Sequence, residues 1–173
     1  MNAIVAVSKS WGIGRDNDML FRIPGDLAWF RSKTIGKTII MGRKTLEAMP
    51  GGHALPGRDN LVLSRDKDFH SGDCMIFHKL NDLLKYIRAF RSEDLYVVGG
   101  EAVYTLLLPY CSRAYVTHIL AESDPLPEKY FPNLQELPEW ECVRQGETVQ
   151  EIGLSYYVSE YINKKVHASM KGL

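Results

Sequence analysis

Short apolar, β-branched runs recur along the chain, at Ala3–Val7, Thr38–Met41, Asn60–Leu63, Met75–Phe77, Leu95–Val98 and Ala114–Ile119. Runs of this kind, apolar on successive positions, fit strands covered on both faces. Between several of them lie helix-like segments, near Asp26–Thr34, Thr45–Met49, Asn81–Phe90 and Ala102–Leu108. Strand–helix alternation predicts a mostly parallel sheet with helices on both faces. The last third changes character. Trp140–Gln150 and Leu154–Ile162 are strand-like and joined through Glu151-Ile152-Gly153, the pattern of a closing antiparallel ribbon. The expected architecture is one α/β domain over residues 1–163, with a mostly parallel central sheet of about eight strands and an antiparallel C-terminal strand. Residues 164–173, basic and small, read as a tail free to fray.

Composition narrows the function classes. A chain of 173 residues suffices for one domain with a substantial core. Lysine and arginine total 21 against 21 acidic residues, so no net field favours nucleic acid or an anionic membrane. No stretch approaches the roughly 20 apolar residues of a membrane span. The N-terminus enters a strand-like run without a basic n-region or cleavage site, as in a cytoplasmic protein. Cys74, Cys111 and Cys142 are far apart and lack C-x-x-C spacing, which fits reduced thiols better than a disulfide frame or zinc site. The five histidines are scattered, and no metal site is expected.

Asp26 stands out in the run Met19-Leu20-Phe21-Arg22-Ile23-Pro24-Gly25-Asp26-Leu27-Ala28-Trp29-Phe30. Pro24-Gly25 reads as a turn, and the spacing of Leu27, Phe30 and Ile35 as the buried face of a short helix. Asp26 falls in the first turn, close to that face. An acid there caps the helix, favours the positive end of its dipole, or lines an apolar cavity and hydrogen-bonds what enters.

Three strand ends carry chemistry suited to a phosphorylated ligand. Ligands of open α/β sheets bind at the carboxyl ends of strands, often against helix N-termini. Thr38–Met41 leads into Gly42-Arg43-Lys44-Thr45, a glycine, two cations and a candidate N-cap. Leu61-Val62-Leu63 leads into Ser64-Arg65, and Leu95–Val98 into Gly99-Gly100-Glu101-Ala102-Val103-Tyr104. Each has an ordinary alternative, a bare turn or a solvated cation. Neither G-x-G-x-x-G nor a P-loop occurs. Together, with Arg43, Lys44 and Arg65 at hand, they suit an NADP-type 2′-phosphate. Leu55-Pro56-Gly57-Arg58 presents an arginine after a forced turn, either solvated or a fork for a ligand carboxylate.

Over nearly its whole length the chain resembles the dihydrofolate reductase family. Trp11–Asn17 is similar to that family's mobile active-site loop, followed by the loop methionine, Met19. Ile23–Phe30, Ile40–Thr45, Leu55–Arg58, Val98–Tyr104 and Tyr115–Ile119 are similar to its other blocks, in order. The resemblance implies hydride transfer from NADPH to C6 of dihydrofolate, a proton to N5, and a monomer without nucleic-acid or membrane partners. It implies catalytic roles for four residues: Asp26 grips the pteridine 2-amino group and N3, Thr117 orients it, Phe21 walls the site, and Tyr104 lies near the nicotinamide. The backbone at Ile4, Val5 and Val98 would face the pterin. Met19, Leu27, Phe30, Met49 and Leu55 would wall the substrate, with ordinary core as the alternative. Arg58 would clasp the glutamate carboxylate. The cofactor would lie against Ala6, Ile13, Gly42, Arg43, Lys44, Thr45, Leu63, Ser64, Arg65, Glu101, Ala102, Val103 and Tyr104, and against Gly99-Gly100, a pair the family joins by a cis peptide. Apolar surroundings would raise the pKa of Asp26 toward working pH.

The chain also departs from the family. Leu20-Phe21 stands where many members have Pro-Trp, and Phe21 has no indole N–H for a water bridge. Ala102 stands where some have an arginine, a role open to Arg65. Pro50–Ala54 lengthens the approach to Leu55, and Glu122–Pro132 replaces the usual Gly-Asp-Thr-x-Phe-Pro, leaving Asp124 as the candidate anchor for the mobile loop. Two other functions compete: a reductase of the same fold acting on a ribosyl-pyrimidine in flavin synthesis, and an idle pterin- or nucleotide-binding module. The first needs a ribose-phosphate site in place of the Asp26–Arg58 pair.

Overall fold

A computed structural model describes residues 1–166. The apolar runs become β1 (Asn2–Val7), then, after the short β2 (Gly12–Arg15), β3 (Asp18–Met19) and helix α1 (Pro24–Thr34), β4 (Thr38–Gly42). Helix α2 (Arg43–Ala48), β5 (Asp59–Leu63), β6 (Met75–Phe77) and α3 (Leu80–Ile87) follow. Next come β7 (Leu95–Gly99), α4 (Glu101–Leu107), β8 (Arg113–Ile119) and the short β9 (Lys129–Tyr130). The C-terminal third forms β10 (Trp140–Gln145), β11 (Val149–Glu151) and β12 (Leu154–Asn163).

The main sheet has the order β10-β12-β8-β1-β7-β4-β5-β6, with β11 hydrogen-bonded to β12. From β6 to β8 every pairing is parallel, and β12 enters antiparallel to β8. The mostly parallel sheet with an antiparallel C-terminal strand is therefore as expected. Along β1 the side chains alternate between layers. Ala3, Val5 and Val7 join a core with Leu83 and Ile87 of α3 and Val103 and Leu107 of α4. Ile4 joins a second core with Ile39, Met41, Leu46 of α2, and Trp29 and Phe30 of α1. Parallel strands buried on both faces explain why their sequences run apolar without alternation.

Three boundaries differ from expectation. α2 begins at Arg43, with Gly42 as N-cap, so Thr45 sits inside the first turn rather than capping it. The Trp140–Gln150 run is two strands, broken where the Gly146 N–H turns to the Val158 carbonyl. The β2–β3 hairpin was not legible as strand; Asp16 and Asn17 turn it with φ of 50° and 58°, the paired left-handed conformation that matches strand twist. Of the tail, Lys164 donates its N–H to the Glu139 carbonyl at 2.8 Å. Residues 167–173 lie outside the described residues.

Leu107, fully buried between α4 and the sheet, tests the larger core. Leu107→Ala is expected to cost about 3 kcal/mol, read as a drop of roughly 6–12 °C in Tm by calorimetry.

Candidate active site

The sheet opens where its central strands part. β1 pairs with β7 only at Asn2–Tyr96 and Ala3–Val97, yet stays paired with β8 through Val7–His118. Beyond Ala3 the carboxyl halves of β1 and β7 thus face a gap, the position at which α/β sheets bind ligands. Val98 marks the divergence, because the register of β4 against β7 shifts from Ile40–Val97 to Met41–Gly99 there. Such a bulge bends a strand away from its neighbour. Gly99 and Gly100 are joined by a cis peptide. The Tyr104 hydroxyl donates to the Ile4 carbonyl at 2.6 Å, tying α4 to β1 across the gap. Burial raises the pKa of Tyr104 and keeps that donor protonated. Ile4 turns its side chain to the α1 layer, whereas Val5 turns its own into the opposite core and offers this side only backbone.

Asp26 lies in the first turn of α1, half-buried. It does not cap the helix: Ile23 is the N-cap and makes no side-chain capping bond. Instead the buried Thr117 of β8 donates its hydroxyl to Asp26 Oδ1 at 2.6 Å. Burial raises the pKa of Asp26; the Thr117 bond opposes this by stabilising the anion, and the negative charge of Glu151 adds to the rise. Glu151 and its neighbour Tyr156 are the residues that sequence reading missed. They reach α1 from the far end of the chain, and no local pattern announces them. Phe21 packs in a cluster with Ile23, Ile119, Tyr156 and Ala6.

Arg58 sits at the opposite end of α1. Its Nη1 donates to Thr34 Oγ1 at 3.4 Å and its Nε to the Pro56 carbonyl at 3.1 Å. The turn before it is docked on the helix end, with the Gly36 N–H donating to the Gly57 carbonyl at 2.7 Å. Gly57 has φ 72°, a conformation that favours glycine, and a Cβ there would displace the end of the exposed Ile35 side chain, whose Cδ1 would lie 2.7 Å away. Burial, then the neighbouring Arg31 guanidinium, lowers the pKa of Arg58. Between positions 26 and 34 the helix rises about 12 Å. The expected buried face of α1 is not buried: Leu27 is 39% and Ile35 41% exposed, and Met19 on β3 is 44% exposed. Only Thr34 of α1 is fully buried. Phe30, Met49 and Leu55 do pack, against the core of Ile39, Met41 and Leu46. An acid and a guanidinium are thus separated by apolar surface left open.

The glycine junctions meet beside this surface. A Cβ on Gly42 would lie 3.1 Å from Val103 Cγ2, and one on Gly100 would lie 3.3 Å from Thr45 Oγ1. The starts of α2 and α4 are therefore tightly packed, and a side chain at either glycine would make its neighbour give way by a few tenths of an ångström. Lys44 and Arg65 are exposed and make no hydrogen bond or ion pair among the described residues, which leaves both cations for an anionic ligand. Arg43 is instead engaged with Glu47 Oε1 at 2.8 Å. Ser64 accepts from the Asp66 N–H at 3.2 Å and so shapes the turn that presents Arg65. The Glu101 carboxylate is engaged too, accepting the Tyr130 N–H at 2.9 Å. Leu63 and Ile13 pack on the larger core, and Ala102 is exposed.

A sequence model described as dihydrofolate reductase matches residues 1–163. The chain belongs to the dihydrofolate reductase family. It is 35% identical over 163 residues to the dihydrofolate reductase of Staphylococcus haemolyticus, spanning 93% of this chain and 94% of that one. It is 33% identical over 169 residues to that of Bacillus subtilis, spanning 98% and 96%. Among solved structures it is similar to a dihydrofolate reductase from Enterococcus faecalis complexed with NADP(H) and RAB-propyl, at a TM-score of 0.83 and 27% identity over 93% of this chain and 94% of that one. The protein is accordingly an oxidoreductase of dihydrofolate reductase type.

One assignment drawn from the family resemblance is corrected. Asp124 is exposed and makes no hydrogen bond or ion pair among the described residues. The loop is held instead by Glu122, accepting the Ser10 N–H at 3.0 Å, and by Glu128, 3.2 Å from Arg15 Nη2. The divergent segment keeps the function with different acids, because β9 pairs with β2 and brings Glu128 against the loop. The extra residues before Leu55 are pinned through the Ala54 N–H to Asp73 Oδ2 at 3.0 Å. Among the described residues no group of His, Cys, Asp and Glu is placed to hold a metal, and no helix is long and apolar enough to cross a membrane.

Thr117→Val removes the one side-chain hydrogen bond to Asp26 among the described residues, a bond that stabilises its anion, while leaving burial and Glu151 in place. The Asp26 carboxyl carbon, followed by 13C NMR, is expected to titrate at higher pH than in the parent protein. A lower midpoint would contradict this balance.

Proposed function

We propose that the protein reduces 7,8-dihydrofolate to 5,6,7,8-tetrahydrofolate with NADPH, acting in the cytoplasm as a monomer and supplying one-carbon metabolism. The observation that carries this reading is that Asp26 and Arg58 stand at opposite ends of α1, where the apolar Leu27 and the C-cap Ile35 are left exposed. A pterin with adjacent N–H donors, an aromatic linker and a terminal carboxylate matches that sequence of groups.

The carboxylate of Asp26 accepts hydrogen bonds from the pterin 2-amino group and N3, and Thr117 keeps it aimed. Because burial raises its pKa, Asp26 exchanges a proton nearer neutral pH than an exposed aspartate does, which suits control of the proton bound for N5. Arg58 takes the glutamate carboxylate as a bidentate fork. Phe30, Met49 and Leu55 present apolar walls that exclude water.

The cofactor fits the residues present. The glycines at 42 and 100 permit close backbone approach, and Lys44 and Arg65 are free to meet phosphate charge. The similar structure holding NADP(H) supports the same choice. When bound, NADPH supplies the hydride for C6.

Loss of NADPH absorbance with and without dihydrofolate is the direct test. NADPH binding without any turnover would leave only a binding module. Asp26→Asn is expected to lose most turnover at neutral pH, at least 10-fold, and to regain part of it in acid, where substrate arrives protonated. Its stability should move the other way. A raised carboxyl pKa in the fold means that ionising Asp26 weakens the native state as pH climbs past the ordinary aspartate value. The neutral asparagine escapes that cost, so its Tm at pH 7 should equal or exceed the parent's. Arg58→Leu should raise the KM for dihydrofolate at least about 10-fold, as loss of a charged hydrogen-bonded partner predicts, and leave that for NADPH nearly unchanged. Equal effects on both would mean that Arg58 does not hold the substrate carboxylate.

A further inference from the structure

We propose that Glu151 is a positioning residue of this active site: it caps α1 from the distant β11–β12 hairpin through Gly25 and places a second negative charge beside Asp26. The inference rests on the reading of Asp26 above. Helix α1 opens unusually. Its N-cap, Ile23, has no polar side chain, and Pro24 at the first position has no N–H. The Gly25 N–H is therefore the first donor of the helix, and nothing local accepts it. Both oxygens of Glu151 do, at 3.2 and 3.0 Å, across a sequence separation of 126.

The arrangement is specific in three ways. The Tyr156 hydroxyl donates to Glu151 Oε2 at 3.3 Å, so a second residue of the hairpin aims the carboxylate. Glycine at 25 is what admits it, since a Cβ there would lie 2.5 Å from Glu151 Oε2 and 2.6 Å from Tyr156 Oη. The hairpin register Glu151–Leu154, turned by Ile152 and Gly153 at φ 48° and 78°, delivers the carboxylate to the helix end. An anion at a helix N-terminus is favoured by the dipole, and the Glu151 carboxylate lies there against the Gly25 N–H.

The groups facing Asp26 are Thr117 from β8, Glu151 from β11 and Tyr156 from β12; the titratable ones are the last two. Tyr156 keeps its proton, its pKa raised by burial and by both carboxylates. Glu151 is therefore the charge that works against ionisation of Asp26. Removing it shifts the acid toward the anion, lowers the protonated fraction at neutral pH and slows a reaction that needs that proton.

The test is Glu151→Gln in the full chain, with Glu151→Ala beside it. Glutamine keeps an acceptor for Gly25 and loses the charge. Two readouts are followed: the 13C titration of the Asp26 carboxyl, and kcat for dihydrofolate against pH. In Glu151→Gln both the titration midpoint and the alkaline fall of kcat should move to lower pH, with Tm little changed. Glu151→Ala should show the same shift and lose about 2–4 °C in Tm with the cap. A midpoint and profile that coincide with the parent's, in a folded Glu151→Gln, would overturn the proposal and leave Glu151 a cap alone. Absence of dihydrofolate turnover in the parent protein would instead overturn the functional reading, and the Asp26 titration would still decide whether Glu151 acts on it.

Discussion

The site depends on β1 leaving β7 after Ala3–Val97. A sheet paired to its ends would give every strand the same neighbours and no opening. Here a bulge at Val98 and two glycines after it bend β7 away, while β8 holds β1 straight through Val7. The break leaves backbone groups of β1 and β7 unpaired with each other at the carboxyl end. Tyr104 satisfies one of them, the Ile4 carbonyl, and so fixes the width of the gap. Around that opening α1 contributes the acid, α2 and α4 contribute glycine-packed starts, and the turn before β5 contributes Arg58.

Charge is distributed around the opening with a clear division. Asp26 is burdened by burial and by Glu151, and relieved by Thr117. Arg58 is held by neutral acceptors, Thr34 Oγ1 and the Pro56 carbonyl, and by no carboxylate among the described residues. Its positive charge is thus uncompensated until an anion arrives. Lys44 and Arg65 share that condition, whereas Arg43 and Arg15 are spent on structural pairs with Glu47 and Glu128. Cations of similar sequence setting divide into structural and available ones according to whether an acid lies within reach.

Much of this was legible in residue order. Buried parallel strands must be apolar at successive positions, so the central strands announced themselves. Pro-Gly before Arg58 announced a turn and Gly-Gly a break at the end of β7, since few other residues adopt the positive φ of Gly57 and Gly99. The buried face assigned to α1 was not legible correctly. Leu27, Phe30 and Ile35 share a helical spacing that fits core and open ligand surface equally, because both require apolar residues. The β2–β3 hairpin escaped because it is too short for an alternating pattern, and Asp124 was favoured over Glu122 and Glu128 because backbone pairing, not composition, decides which acid meets the loop.

The sequence by itself determined the layered α/β fold and the family. Local chemistry suffices there, since apolar periodicity and turn residues act over a few positions. Only the tertiary structure decided what Asp26 is. Whether that acid caps its helix or serves a ligand turns on its partners, Thr117 and Glu151, 91 and 125 positions away. Contacts of that range follow from strand register and hairpin placement, which no window of sequence contains.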